Sequence, residues 1–529
     1  MRRSRVLPLL AITLMALSVP LGASASASTP QSGSAGACTA STFQDLSVAG
    51  ATTVGAQASY EPTGTIQLTP LPPKTMPTTP FCEVQITLTH GALRGLPADI
   101  EHVWVWLPDS WNGNFEAIGG GGWLATNGAR AMAPPLAAGY AVGSSDAGLP
   151  TASVNDPMLV GGKFDWTLFD NFAYRSVNET AVIAKGAIAA YYNHLAGYSY
   201  WNGCSNGGRQ GLVAAERYPT DFNGILAQSP AIDGPAELNM SDSWPTFLEQ
   251  AAYGGLMPGC KLAAMNKAVV AACDSQDGLA DGLISDPQAC DYRTPLEQLA
   301  GASTPCGVIS QQDVDLMLQM IAGAKTPQGR LVGYGWAPGV DLSTGVGVVP
   351  NGAALQTFAA MDASWDWTTS TPAELTTTLY REMDKPALRV LATNSPDLHK
   401  FEAAGGKLIM WHGLADSIVP YQQTVQFYED VARISGKGTA SFARLFLAPG
   451  VSHCGGGYGP APADPFGALV SWVQQGNAPG SLLAVQTDSA GNVTRSRPLC
   501  AYPKVAVYAG TGDPNSASSF DCRSSFTDS

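Results

Sequence analysis

The sequence predicts an α/β fold on a mostly parallel sheet, interrupted in its middle by a large insertion. Three observations carry this. Short apolar runs of strand character recur along the chain. A helical apolar period separates them. The alternation stops near residue 230 and resumes near 406. Strands alternating with helices imply a parallel sheet covered on both faces.

The N-terminus comes first. Arg2, Arg3 and Arg5 precede an apolar stretch from Val6 to Leu21, and Ala25-Ser26-Ala27 offers a small-residue cleavage site. Residues 1–27 therefore read as a secretory signal peptide, with an uncleaved anchor as the alternative. No later stretch is long and apolar enough to span a bilayer. Residues 28–80, rich in Ser, Thr, Ala, Gly and Pro, read as a loose N-terminal arm held by Cys38 and Cys82.

The first part of the core covers 81–229. Glu83 to Leu88 and His102 to Leu107 alternate as strands do, and Phe115 to Ile118 is a short apolar run ending at Gly119-Gly120-Gly121-Gly122. Tyr140 to Ser144, Ser199 to Asn202 and Phe222 to Ala227 read as further strands, and Asn178 to Ala196 as an Ala-rich helix. Residues 230–405 are loop-rich, with four of the ten cysteines, an acidic cluster and several tryptophans, and read as an inserted lid domain. Lys407 to Trp411 and Arg444 to Leu447 resume the sheet within a second core part and C-terminal tail, 406–529. There are no convincing internal repeats.

The formal charge is -14, and removing residues 1–27 with their three arginines and no acids makes it -17. A chain this acidic is repelled by phosphate, so neither nucleic acid nor an anionic membrane is expected as a partner. Charged residues are only 13% of the chain, too few for a disordered polyanion. Ten cysteines behind a signal peptide point to disulfides formed in an oxidising compartment, and the even number fits five bridges. The expected localisation is extracellular.

The strongest local signal is Gly203-Cys204-Ser205-Asn206-Gly207, a G-x-S-x-G pattern after a strand-like run and before a helical stretch at Gln210 to Arg217. In a nucleophile elbow the serine sits on a sharp strand-to-helix turn. Serine is a weak nucleophile alone and needs a base oriented by a carboxylate, in chain order Ser, acid, His. Of six histidines, His453 lies late, in the Gly-rich loop Pro449 to Gly457 directly after a strand. His412 competes but reads as a packed structural histidine. Asp416, in a loop one strand earlier, is the expected acid. The oxyanion hole needs a backbone N–H after the nucleophile, from Asn206, and a second from an early Gly-rich loop. Gly121 is the choice within 119–122. Together these predict an α/β-hydrolase core with an inserted lid.

Gly203-Cys204-Ser205-Asn206-Gly207-Gly208-Arg209-Gln210 with Pro449-Gly450-Val451-Ser452-His453-Cys454-Gly455-Gly456-Gly457 resembles the tannase and feruloyl esterase family, which includes mono(2-hydroxyethyl) terephthalate hydrolases. Asp397-Leu398 through Leu408 and Trp411 through Asp416 also match its pattern, and the similarity runs from about Cys82 to Cys500. The resemblance implies a disulfide between Cys204 and Cys454, beside nucleophile and base. It also implies Cys38–Cys82, Cys273–Cys290 and Cys500–Cys522, which leaves Cys260 with Cys306.

Cys273 to Leu283 carries three carboxylates, at Asp274, Asp277 and Asp281, which repel one another unless a cation sits among them. Hard cations take six to eight oxygens, and the spacing is not that of an EF-hand. The resemblance implies structural Ca²⁺ held by Asp274, Asp277 and Asp281 with the carbonyls of Leu279 and Leu283. The alternative is a solvated acidic turn.

The lid should cover the serine. Trp244, Phe247, Tyr253, Trp336, Trp365 and Trp367 are its aromatic candidates, and Trp365 and Trp367, flanking Asp366, are the pair singled out for substrate contact. The resemblance implies small esters of aromatic acids (feruloyl, galloyl or terephthalate) as substrates. Two rival readings are a lipase or peptidase on the same fold, and a non-catalytic calcium-dependent binding protein. Monomer and homodimer are both open.

Overall fold

The computed structural model describes residues 36–524 apart from 63–64, 69–73, 78, 93–94, 150–157, 161, 233–234, 343–354, 363, 384–389 and 392–394. The expected signal peptide lies outside the described residues.

Nine strands form the central sheet: β1 (Thr52–Glu61), β2 (Phe81–Thr89), β3 (Glu101–Pro108), β4 (Phe115–Ile118), β5 (Ala141–Ser145), β6 (Ser199–Cys204), β7 (Gly224–Gln228), β8 (Lys407–Gly413) and β9 (Ala443–Ala448). Their order is β1-β2-β3-β5-β4-β6-β7-β8-β9. The six from β5 to β9 in that order run parallel. β1, β2 and β3 join by antiparallel pairs at one side. The longer helices are α1 (Ser176–Tyr192), α2 (Asn206–Arg217), α3 (Pro235–Tyr253), α4 (Gly259–Cys273), α5 (Gln311–Ala322), α6 (Pro372–Met383), α7 (Tyr421–Ser435) and α8 (Pro465–Gln475).

The parallel strands are apolar on both faces because both are covered. Alternate residues divide between two cores. Trp201, Ile225, Leu408 and Met410 pack with Leu212 and Val213 of α2, whereas Tyr200, Leu226, Ile409 and Trp411 pack with Leu469 and Trp472 of α8. Between β7 and β8 the described chain adds no strand to the sheet. It carries α3 to α6 and two small hairpins, so the sheet pattern is broken where the sequence breaks it. After α8 the chain forms an antiparallel strand pair, Ser481–Thr487 with Val493–Cys500, and a hairpin, Val505–Tyr508 with Phe520–Arg523.

Two expectations need correction. Within residues 28–80, expected as a loose arm, Thr52 to Glu61 is instead a strand that pairs with β2 along its length, from Thr52 opposite Thr89 to Glu61 opposite Phe81. An edge strand needs little apolar character, and the small residues of this one gave no period-2 signal. The second concerns α1, expected to reach Ala196. It stops at Tyr192 because Asn193 takes the left-handed conformation (φ 53°) that ends helices.

A chain of side-chain hydrogen bonds crosses four parallel strands near their carboxyl ends. Trp411 Nε1 donates to Gln228 Oε1 (3.0 Å), Gln228 Nε2 to Asn202 Oδ1 (2.9 Å) and Asn202 Nδ2 to Glu116 Oε1 (3.0 Å). Burial pushes the Glu116 carboxyl up to about 7, against the opposing Asn202 hydrogen bond. A carboxyl raised in the folded state binds its proton more tightly there than in the unfolded chain. It therefore lowers stability as pH rises from the ordinary carboxylate range through about 7. Glu116→Gln should remove this slope. Urea unfolding at about pH 5 and pH 8 should give the variant an advantage of up to about 3 kcal/mol at the higher pH only.

Candidate active site

Ser205, Asp416, His453 and the glycine loop 119–122 all follow parallel strands at the carboxyl edge of the sheet, where open α/β sheets bind ligands. Ser205 follows β6 directly and opens α2, with φ 61° and ψ -123°. The helix begins at Asn206, earlier than its glycines suggest, because the elbow needs the two elements to meet at the serine. Gly203 and Gly207 are required by space. A Cβ on Gly203 would lie 2.4 Å from the Gly207 carbonyl carbon, and one on Gly207 would lie 2.8 Å from the Gly120 oxygen.

Asp416 and His453 are brought together. His453 Nδ1 donates to Asp416 Oδ2 at 2.7 Å, which fixes the tautomer that leaves Nε2 as an acceptor. Asp416 Oδ1 accepts from the N–H groups of Ile418 (2.9 Å) and Val419 (2.8 Å). Beneath it lies His412, fully buried, with Nε2 3.2 Å from Asp416 Oδ2. His412 Nε2 also meets the Val419 carbonyl (2.9 Å), which can only accept, so Nε2 carries the proton; Nδ1 faces Thr424 Oγ1 (2.8 Å). Burial opposes ionisation of Asp416. The charge of His453 and hydrogen bonds from both histidines outweigh it, and the carboxyl is held well below its usual range.

The loop bearing His453 is tied to the loop bearing Asp416 by Ala415 N–H donating to Val451 O (2.9 Å), and to the residue before Ser205 by the Cys204–Cys454 disulfide, with Cα atoms 5.9 Å apart. The other four bridges are Cys38–Cys82, Cys260–Cys306, Cys273–Cys290 and Cys500–Cys522.

The glycine loop 119–122 packs onto the start of α2. Gly119 N–H donates to Asn202 O and Gly120 N–H to Gln210 Oε1 (2.9 Å), so neither is open to a ligand. The N–H groups of Gly121, Gly122 and Asn206 have no hydrogen-bond partner among the described residues. Three side chains brace this loop, two of which, Gln210 and Arg209, had no role predicted from the sequence. Gln210 Nε2 donates to Ala125 O (3.2 Å) and Asn206 Nδ2 to Leu124 O (3.0 Å). Buried Arg209 donates through Nε to Asn206 Oδ1 (2.7 Å) and grips the carbonyls of Ala173 and Phe172. The signal was available: polar residues three and four positions apart share one face of a helix.

In the acidic loop, Asp274 Oδ1 accepts from the N–H groups of Asp281 (2.8 Å), Gly282 (2.8 Å) and Leu283 (3.1 Å). Its second oxygen has no hydrogen-bond partner among the described residues. Asp281 pairs with Arg497. The side chain of Asp277 lies outside the described residues. The available donors are all oxygen, which fits a hard cation, and Arg497 already balances part of the charge. The loop packs on the base loop, since a Cβ on Gly450 would meet Leu283 Cδ2 at 2.6 Å. Among the described residues, the metal-type donors that come together are His90, Glu101 and Glu179, which the sequence reading did not group. Trp367 is buried against Phe247 (centroids 6.3 Å), which stacks on Trp244 (5.9 Å), and Trp365 is half-buried against the same core. Packing within the insertion engages Trp367 fully and Trp365 only in part.

Comparison with known proteins is consistent across sequence and structure. The family described as tannase and feruloyl esterase matches residues 94–523. A "Probable feruloyl esterase" of Arthroderma benhamiae is 36% identical, covering 87% of this chain and 89% of that protein. The mono(2-hydroxyethyl) terephthalate hydrolase of Piscinibacter sakaiensis is 29% identical, covering 83% and 84%. Feruloyl esterase B from Aspergillus oryzae superposes with a TM-score of 0.76 at 23% identity, over 92% of this chain and 100% of that one.

Replacing Gln210 by Leu keeps its bulk but strands the Gly120 N–H and the Ala125 carbonyl. The expected cost is about 1–3 kcal/mol per stranded group in urea unfolding. If this loop holds the oxyanion, as the sequence predicts, the turnover number on a small activated ester should fall roughly tenfold with KM little changed.

Proposed function

Because the chain belongs to the tannase and feruloyl esterase family and is thus a carboxylic ester hydrolase, we propose that it is a secreted serine esterase cleaving esters of aromatic acids, hydroxycinnamates first, with Ser205, His453 and Asp416 as its triad. The observation that carries this is the Asp416–His453 hydrogen bond of 2.7 Å, on a base loop covalently joined to the residue before Ser205. The hydroxycinnamate preference rests on the 36% identical relative named for feruloyl esters.

In the proposed mechanism His453 Nε2 takes the proton from Ser205 Oγ as the oxygen attacks the ester carbonyl. The N–H groups of Asn206 and Gly121 hold the tetrahedral oxyanion. His453 then protonates the leaving alcohol, and water attacks the acyl-enzyme by the same base to release the acid. Asp416, ionised and oriented by four donors, holds the imidazole tautomer throughout. Trp365, the more exposed of the lid pair, is the one offered to the substrate ring. Export is supported by the five disulfides.

Hydrolysis of methyl ferulate, methyl gallate and mono(2-hydroxyethyl) terephthalate, measured with wild type and Ser205→Ala, tests this. Methyl ferulate should turn over fastest, and the variant should lose at least about 10⁴-fold in kcat. A variant that keeps its rate would remove Ser205 from the mechanism. Preference for an aliphatic ester would remove the aromatic assignment.

We propose also that Asp274, Asp277 and Asp281, with the carbonyls of Leu279 and Leu283, hold Ca²⁺, which when bound neutralises the loop and takes no part in the reaction. A cation bound only by the folded chain adds about 2.7 kcal/mol at a hundredfold excess over its Kd. Chelation should therefore lower Tm by several degrees, reversibly, and Asp274→Asn should make Tm insensitive to chelator. Equal Tm with and without Ca²⁺ in the wild type would count against the site.

A further inference from the structure

His90, just past β2, Glu101, at the start of β3, and Glu179, in the first turn of α1, meet at the same edge of the sheet as Ser205 but beneath its antiparallel side. Their donor atoms all lie within 4.8 Å of one another. His90 Nε2 is 2.8 Å from Glu179 Oε1, and Ser145 Oγ donates to Glu101 Oε1. Glu101 is fully buried and Glu179 nearly so, and among the described residues no N–H or hydroxyl donor reaches the Oε2 atom of either. Buried carboxylate oxygens without donors are costly, so something positive belongs between them.

The surrounding groups are arranged as they are around a metal. His90 Nδ1 is 2.7 Å from Asp99 Oδ2, and Asp99 is itself fixed by the His90 backbone N–H (2.7 Å) and Asn171 Nδ2 (2.8 Å). As the site stands, both oxygens facing the ring can only accept, so both His90 nitrogens donate; an ion would take the place of the Nε2 proton, with Asp99 on Nδ1 as the usual outer shell of a ligating histidine. The neighbouring cation is engaged elsewhere, since Arg175 binds Asn171 Oδ1 and Asp170. We propose that His90, Glu101 and Glu179 bind one divalent transition ion, zinc in particular. One imidazole and two carboxylates suit it, and three protein ligands leave a fourth position to a second carboxylate oxygen or water.

The site would also brace the oxyanion loop. Asn171, which anchors Asp99, begins the helical turn Asn171–Arg175, and the Phe172 and Ala173 carbonyls of that turn hold Arg209, which holds Asn206.

The test uses the whole protein, stripped with chelator, dialysed against ZnCl₂, freed of excess by gel filtration and analysed for zinc by mass spectrometry. A crystal of the same sample is measured at the zinc absorption edge. The expected result is one equivalent of zinc and an anomalous peak about 2.0–2.2 Å from His90 Nε2 and from oxygens of Glu101 and Glu179. Glu101→Gln, whose amide can still hydrogen-bond Glu179, should fold and bind zinc at least about tenfold more weakly. His90→Gln should do the same. Absence of zinc from the wild type, equal binding by Glu101→Gln, or a peak only at the Asp274 loop would overturn the proposal, leaving a proton shared by Glu101 and Glu179 as the occupant.

Discussion

Everything at the carboxyl edge depends on two stretches of backbone touching with no side chain between them. Gly207 N–H donates to Gly120 O at 2.9 Å, and neither that glycine nor Gly203 has room for a Cβ. This contact brings the start of α2 against the loop after β4. It places the unpaired N–H groups of Asn206 and Gly121 on neighbouring segments. Gln210, Asn206 and Arg209 then lock the arrangement with side chains. An oxyanion site must be rigid before the reaction, because donors that had to move would lose the advantage over water.

The acid–base pair obeys the complementary constraint. Asp416 is buried, which alone would keep it protonated and useless for orienting a base. It stays ionised because the charge of His453 and the hydrogen bonds from His412 and His453 outweigh that burial, while Ile418 and Val419 N–H groups hold its other oxygen in place. His412 and His453 have opposite surroundings. The first is sealed in with both nitrogens engaged; the second is partly exposed with Nε2 left over.

Much of this was legible in the sequence, for physical reasons. Buried parallel strands must be apolar on both faces, so β4 to β9 stood out as runs. The elbow needs glycine where backbones collide, so Gly203 and Gly207 marked Ser205. What escaped notice had weaker local causes. β1 is an edge strand of small residues, stabilised by pairing with β2 and by Cys38–Cys82 more than by its own composition. His90, Glu101 and Glu179 belong to three separate elements, and only the order β2-β3-β5 with α1 beside it brings them together. Gln210 and Arg209 lay inside the motif already singled out, but their work is done across the fold, on carbonyls that no local pattern predicts.

The Cys204–Cys454 bridge joins positions 250 residues apart, and the whole lid lies between them. The insertion thus lies inside a closed covalent ring, sealed beside Ser205 and His453. A protease that cuts once anywhere within the ring opens a loop without releasing a fragment: the nucleophile and the base remain parts of one molecule. For a carboxylic ester hydrolase of this build, the bridge converts a single nick in its largest and least regular segment from a separation of Ser205 from His453 into a local scar.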